Sequence, residues 1–223
     1  MSNNQLEKYF RRNKGKLIHK WIHYFDIYDS HFSKFRKKNI TVLEFGVFQG
    51  GSLQMWKKYF GKRARIIGVD INPDCKKLEE KGVEIYIGDQ ENRKFLKKLM
   101  KKIGEVDVVI EDGGHTMRQQ INTFEEVYPH VKEGGVFLIE DLHTSYWREY
   151  GGGYKKKDTF IEYSKSVIDD INAWHSKNSD LEVSDLTRSI KGMHVYDSII
   201  VFDKGNVEQP RHEMTGKETI GLY

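Results

Sequence analysis

The chain has 223 residues, enough for one large domain with a proper core and short for two. Its 38% hydrophobic and 31% charged residues argue for a globular protein rather than a disordered one. The single Cys75 excludes an intramolecular disulfide framework, and MSNNQLEKYFRRNKGK offers no apolar run for a signal peptide or membrane span, so a reducing, cytoplasmic setting is expected. The net charge of +4 is unevenly spread: residues 1–40 hold ten Lys/Arg against Glu7, Asp26 and Asp29, a local +7. Such a face serves as a solvated helix surface or as a dock for nucleic acid or an anionic membrane, and no aromatic-interleaved nucleic-acid motif accompanies it.

In chain order, Phe10, Leu17, Ile18, Trp21, Ile22, Phe25, Tyr28 and Phe32 recur at three- and four-residue spacing, which predicts amphipathic helices over 5–36. Ile40–Phe45 is a β-branched run that opens into a glycine-rich turn, E-x-G-x-x-x-G-G over Glu44–Gly51, and then a helix over Leu53–Phe60. Strands follow at Arg65–Ile71 and Val83–Ile87 with a helix over 74–81 between them. A helix over 91–103 leads to a strand at Val106–Ile110, and a helix over 116–131 leads to a strand at Gly135–Ile139. This alternation predicts a doubly wound, mostly parallel α/β sheet. His143–Asp158, with its aromatics, three glycines and lysine run, suits a mobile lid over the strand ends. A helix over Thr159–His175 and an antiparallel pair, Ser189–Tyr196 with Ser198–Asp203, complete a seven-stranded sheet. The expected organisation is N-terminal helices over 1–39, a core over 40–204 and a polar tail over 205–223.

Two strand ends carry the chemistry. One reads Glu111-Asp112-Gly113-Gly114-His115, the other Glu140-Asp141-Leu142-His143, and ligands of open α/β sheets gather at the carboxyl ends of strands. A glycine turn followed about 20–30 residues later by an acid, here Asp70, suggests a nucleoside-containing cofactor. The spacing is not G-x-G-x-x-G, and no G-x-x-x-x-G-K-[ST] is present, so neither a dinucleotide cradle nor a triphosphatase loop is indicated. Asp70 and Asp89 can equally cap the helices that follow them. A carboxylate pair at a strand end can equally cap a helix or hold a lysine.

LEFGVFQGGS, IIGVDINP and YIGD resemble the first three cofactor motifs of class I S-adenosylmethionine (SAM) dependent methyltransferases. The resemblance spans residues 40–204. It implies a Rossmann-like fold and a cofactor site made of Glu44, Gly46, Gly50 and Ser52 around the turn, Asp70 on the ribose, Asp89 with Gln90 at the adenine, and Asp112 nearby. EDGGHT and IEDLHTSYW resemble, more narrowly, the metal-dependent sugar O-methyltransferases of the mycinamicin-type macrolide pathways. That subgroup implies Mg²⁺ on Asp112, Glu140 and Asp141, with His115 as the base. Its members carry a separate N-terminal domain with no counterpart in this sequence, so acceptor identity and oligomer contacts are not carried over; a homo-oligomer is compatible with the sequence.

The residue types suit that chemistry on their own terms. A sugar hydroxyl is a poor nucleophile, and a bound hard cation with oxygen ligands eases its deprotonation, which a histidine can complete near neutral pH. Glu111 could replace Asp112 as a ligand, but strand neighbours point to opposite faces. His143 is a support for the ligands, a substrate contact or a plain loop residue. Tyr146 and Trp147 are candidate substrate contacts, and Lys20, Tyr24 and Tyr28 are candidates to close over the carboxylate end of SAM. The function expected is SAM-dependent, Mg-assisted O-methylation of a hydroxyl on a sugar, glycan or glycosylated small molecule. The alternatives are a catechol-like hydroxyl with the same metal logic, and a non-catalytic SAM or nucleotide module docking on nucleic acid.

Overall fold

The computed structural model describes residues 4–177 and 179–220. Its sheet has seven strands in the order β3-β2-β1-β4-β5-β7-β6. β1 (Thr41–Phe45), β2 (Arg65–Asp70), β3 (Val83–Ile87), β4 (Val106–Glu111) and β5 (Val131–Ile139) pair in parallel, and β7 (Ile199–Lys204) runs antiparallel to both β5 and β6 (Ile190–Tyr196). The expected fold is therefore found, with strand ends moved by a residue or so and β5 beginning four residues earlier than expected.

Side-chain alternation divides the core in two. Val42, Val108, Ile110, Val136, Leu138 and Val201 face one layer, packed with α1 (Gln5–Arg11), α2 (Tyr24–Phe32) and α3 (Gly51–Phe60). Leu43, Phe45, Val109, Phe137, Ile139 and Phe202 face the other, packed with α4 (Arg93–Ile103), α5 (Met117–Val127) and α6 (Phe160–Asn172). The same alternation carries Glu44 and Glu140 to the first face and Glu111 to the second.

Local departures from expectation have physical causes. Residues 12–23 are not helical: they form an extended strap between α1 and α2 that buries Ile18 and Lys20 and leaves Leu17, Trp21 and Ile22 exposed. The strap crosses the start of α3, where a Cβ on Gly51 would lie 2.3 Å from the Leu17 carbonyl oxygen, so only glycine fits. The helix expected over 74–81 is a 3-10 turn, Pro73–Leu78, and the helix expected over 116–131 yields to a 3-10 turn at Tyr128–His130 around Pro129. His143–Asp158 is folded into short 3-10 turns, with Gly152 and Gly153 amides donating to the Trp147 and Ser145 carbonyls. α7 (Asp185–Ser189), closed by a Ser184 capping box, was not anticipated. Residues 205–220 contain neither helix nor strand; residues 221–223 of the expected tail and 1–3 of the N-terminal segment lie outside the described residues. No helix among the described residues is long and apolar enough to cross a membrane.

Candidate active site

A cavity of about 390 Å³ opens at the carboxyl ends of β1 to β4, bounded by Gly46, Asp70, Asp89, Gln90, Asp112 and Gly113 among others. Gly46 fixes its floor. The residue has φ +91°, and an added Cβ would lie 1.9 Å from the Asp112 carbonyl oxygen, so the turn and the end of β4 touch through backbone alone. Asp70 ties the turn down by accepting from the Val47 and Phe48 amides at 2.9 and 3.0 Å and from Asn72 at 2.8 Å. Asp89 accepts from the Glu91 amide, and Gln90 is buried with its amide nitrogen 2.6 Å from Glu111 Oε1. Asp70 and Asp89 thus line the cavity and brace turns, while the helices that follow them are capped by Asn72 and Asn92 instead. Cys75 also lines the cavity, its thiol pushed up to about 11 by burial and by Asp70.

Glu44, Gly50 and Ser52 stand elsewhere. Glu44 is fully buried, accepting from Ser52 Oγ at 2.7 Å and Trp56 Nε1 at 2.8 Å, and lines neither this cavity nor the next. Burial pushes its carboxyl up to about 7 against the pull of Lys20. Gly50 closes the turn in a left-handed conformation beneath Lys16 and Leu78.

Lys20, expected at the carboxylate end of SAM, stands at the centre of the acidic cluster. Its ammonium, 2% exposed, bonds Asp112, lies 2.8 Å from Glu140 Oε2 and reaches to 4.0 Å of Glu44 Oε1. Burial alone would lower its pKa, but Asp112, Glu140 and Glu44 together hold it above the ordinary lysine value. α2 supplies two phenols to the same cluster: Tyr28 donates to Glu140 Oε1 at 2.7 Å and Tyr24 to Asp141 Oδ1 at 2.7 Å. Burial and Asp112 push the Glu140 carboxyl well above the usual range, with Lys20 and Tyr28 opposing. Glu140 thus does hold a lysine, and Lys20, Tyr24 and Tyr28 meet the acids.

Asp112, His115 and Asp141 form the outer half of the cluster, each partly exposed, with one ligand atom apiece all within 4.8 Å of one another. His115 Nε2 is 3.4 Å from Asp141 Oδ2. His115 (φ 57°) and Asp141 (φ 56°) are both left-handed non-glycine residues, a costly conformation that collects at functional sites. Among the described residues, His115 Nδ1 and Glu111 Oε2 are buried without hydrogen-bond partners. The donor set fits a hard divalent cation, with carboxylate oxygens open to one side. It differs from the expected set in one member: both Glu140 oxygens face Tyr28 and Lys20, which leaves the two aspartates with His115 beside them.

A second cavity of about 240 Å³ lies over this outer half, bounded by Lys20, Val47, Ser52, His115 and Asp141, and it shares Gly46, Phe48, Asp112 and Gly113 with the first. Next along the chain from two of its lining residues, Lys20 and Asp141, stands a line of aromatic rings. Trp21 of the strap meets His143 edge-on at 5.8 Å, and His143 meets Trp147 at 4.6 Å. Ser198 Oγ fixes His143 at 2.6 Å from Nδ1. Trp21, Tyr146 and Trp147 are 44–54% exposed. Trp21 and Ser198 carried no sequence signal, because their partners are over 50 residues away.

The chain is similar to known methyltransferases in sequence and fold. A methyltransferase-domain family matches residues 43–142. The chain is 33% identical over 201 residues to mycinamicin VI 2''-O-methyltransferase of Micromonospora griseorubida, covering 85% of this chain and 50% of that protein. It is 33% identical over 196 residues to the 8-demethyl-8-alpha-L-rhamnosyl tetracenomycin-C 2'-O-methyltransferase of Streptomyces olivaceus, covering 83% and 51%. The solved MycE methyltransferase of the mycinamycin biosynthetic pathway, in complex with Mg, SAH and mycinamycin VI, superposes with a TM-score of 0.79 at 32% identity, covering 91% of this chain and 53% of that one. The chain thus spans about half the length of these relatives.

Proposed function

We propose that the chain, whose residues 43–142 match a methyltransferase-domain family, transfers the methyl group of SAM to a hydroxyl of a sugar, glycan or glycosylated small molecule, assisted by Mg²⁺ or a similar hard cation. The observation that carries this reading is the shared wall of the two cavities: a donor in the first and an acceptor in the second would abut at Asp112, beside His115. The names of the relatives support the sugar, and the Mg and SAH in MycE support the metal and the donor.

Asp112 and Asp141 would hold the cation with His115 beside them; Glu140, itself held by Tyr28, backs Asp112 through Lys20, and Tyr24 backs Asp141. When bound, the cation supplies charge stabilisation to the acceptor oxygen. His115 Nε2 takes the hydroxyl proton, and the adjacent Asp141 carboxylate stabilises the imidazolium. The acceptor oxygen forms its bond to the methyl carbon as the carbon–sulfur bond breaks, leaving a methyl ether and S-adenosylhomocysteine (SAH), and His115 returns its proton to solvent. Asp70 and Asp89 would take the ribose and adenine ends, and Glu44 with Ser52 and Trp56 holds the turn from beneath. Rings of Trp21, His143 and Trp147 offer the acceptor a stacking surface. Isotope-labelled SAM offered with glycosylated, catechol and nucleic-acid acceptors tests the reading: label is expected in an ether on a sugar hydroxyl, and label confined to either other class refutes it.

A further inference from the structure

Away from this site, three elements bring together two imidazoles and a carboxylate. His31 sits in the last turn of α2, His194 on β6 and Asp203 on β7. In the hairpin ladder Gly192 stands opposite Asp203 and His194 opposite Val201. Residues two apart share a face, so His194 and Asp203 project together to the side on which Val201 packs with α2. His31 descends on them from the helix. The two imidazole centroids are 4.7 Å apart, and His194 Nε2 is 2.8 Å from Asp203 Oδ2. One ligand atom of each residue lies within 4.8 Å of those of the other two. The Tyr196 hydroxyl, 2.9 Å from His31 Nε2, adds an oxygen.

The donor chemistry selects the ion. Two imidazoles suit Zn²⁺, Co²⁺, Ni²⁺ or Cu²⁺, whereas Mg²⁺ favours oxygen ligands alone. Bonds of roughly 2.0–2.2 Å require the donors to draw somewhat closer. His194 and Asp203 have 41% and 27% exposed side chains on the sheet margin and can turn inward. Lys34 competes for Asp203, its Nζ 3.6 Å from Oδ1, but its side chain is 48% exposed and can swing to water.

We propose that His31, His194 and Asp203 form a transition-metal site of the Zn²⁺ or Co²⁺ class, with water or the Tyr196 hydroxyl in a fourth position. The ion clips α2 to the β6–β7 hairpin. α2 carries Tyr24 and Tyr28 to Asp141 and Glu140, and the hairpin turn carries Ser198 to His143, so the clip joins two elements that shape the candidate active site. It stands independently of the methyl-transfer reading.

The test is a Co²⁺ titration of the full chain in excess Mg²⁺, followed by visible d–d absorption and by the thermal midpoint. One equivalent is expected to give the strong band of a four-coordinate ion and to raise the midpoint. His194→Ala is expected to weaken binding at least tenfold and to abolish the rise, and Asp141→Asn to change neither. If the alanine variant melts at low temperature, His194→Gln gives the same readout. Absence of saturable binding, binding kept in both His194 variants, or binding lost in Asp141→Asn overturns the proposal.

Discussion

Lys20 Nζ lies 2.8 Å from Glu140 Oε2 across 120 residues of sequence, and this contact fastens the N-terminal strap to the end of β5. Lys20→Met leaves Glu140, Asp112 and Glu44 facing one another in a buried space. Removing one partner of a buried pair costs about 3–5 kcal/mol, read as a lower urea midpoint. The Lys20→Met/Glu140→Gln double variant is expected to lose less than the sum of the single losses. Additive losses would show that the pair is not coupled.

Gly46→Ala meets the Asp112 carbonyl oxygen, which is backbone and cannot turn away. SAH affinity measured by calorimetry is expected to fall at least tenfold, about 1.4 kcal/mol. An unchanged affinity would mean that the turn does not shape the cofactor cavity.

Asp141 is held by Tyr24 in a left-handed conformation, facing His115. Asp141→Asn keeps the size and removes the charge. Mn²⁺ affinity, measured by electron paramagnetic resonance in the presence of SAH, is expected to drop at least tenfold while SAH affinity holds. Equal Mn²⁺ binding would remove Asp141 from the cation site.

Trp147→Ala and Trp21→Ala strip the two rings that flank His143. Aromatic contacts of this kind contribute roughly 0.5–1.5 kcal/mol. Each variant is expected to raise the KM for the acceptor several-fold with little change in kcat. A fall in kcat alone would place the rings in catalysis rather than in acceptor binding.

The parts legible in the sequence are those written in short-range patterns. Strand–helix alternation gave the sheet, and the acids at strand ends marked Asp70, Asp89, Asp112 and Asp141, which line the two cavities, because acids at strand ends follow local apolar runs. Periodicity misled over 12–23: Leu17, Trp21 and Ile22 have helical spacing, yet the strap is held extended by Lys20 and Ile18, which are buried by partners far along the chain. It could not tell Glu44, which props the turn through Ser52 and Trp56, from a residue that lines the cavity. The same holds for Glu140, whose neighbours Lys20 and Tyr28 are set by how the strap and α2 cross the sheet. Pairings across 100 residues or more leave no trace in local spacing.

In the proposed reaction His115 and a divalent cation at Asp112 and Asp141 together activate an acceptor hydroxyl beside SAM. Methyl transfer from labelled SAM to a glycosylated acceptor, measured with and without a chelator for wild type and His115→Ala, tests it most directly. Transfer to a sugar hydroxyl is expected to stop with the chelator and return with Mg²⁺, and His115→Ala is expected to slow it by about 10²–10⁴ while SAH binding persists. Transfer that ignores both the chelator and the loss of His115 would contradict the account.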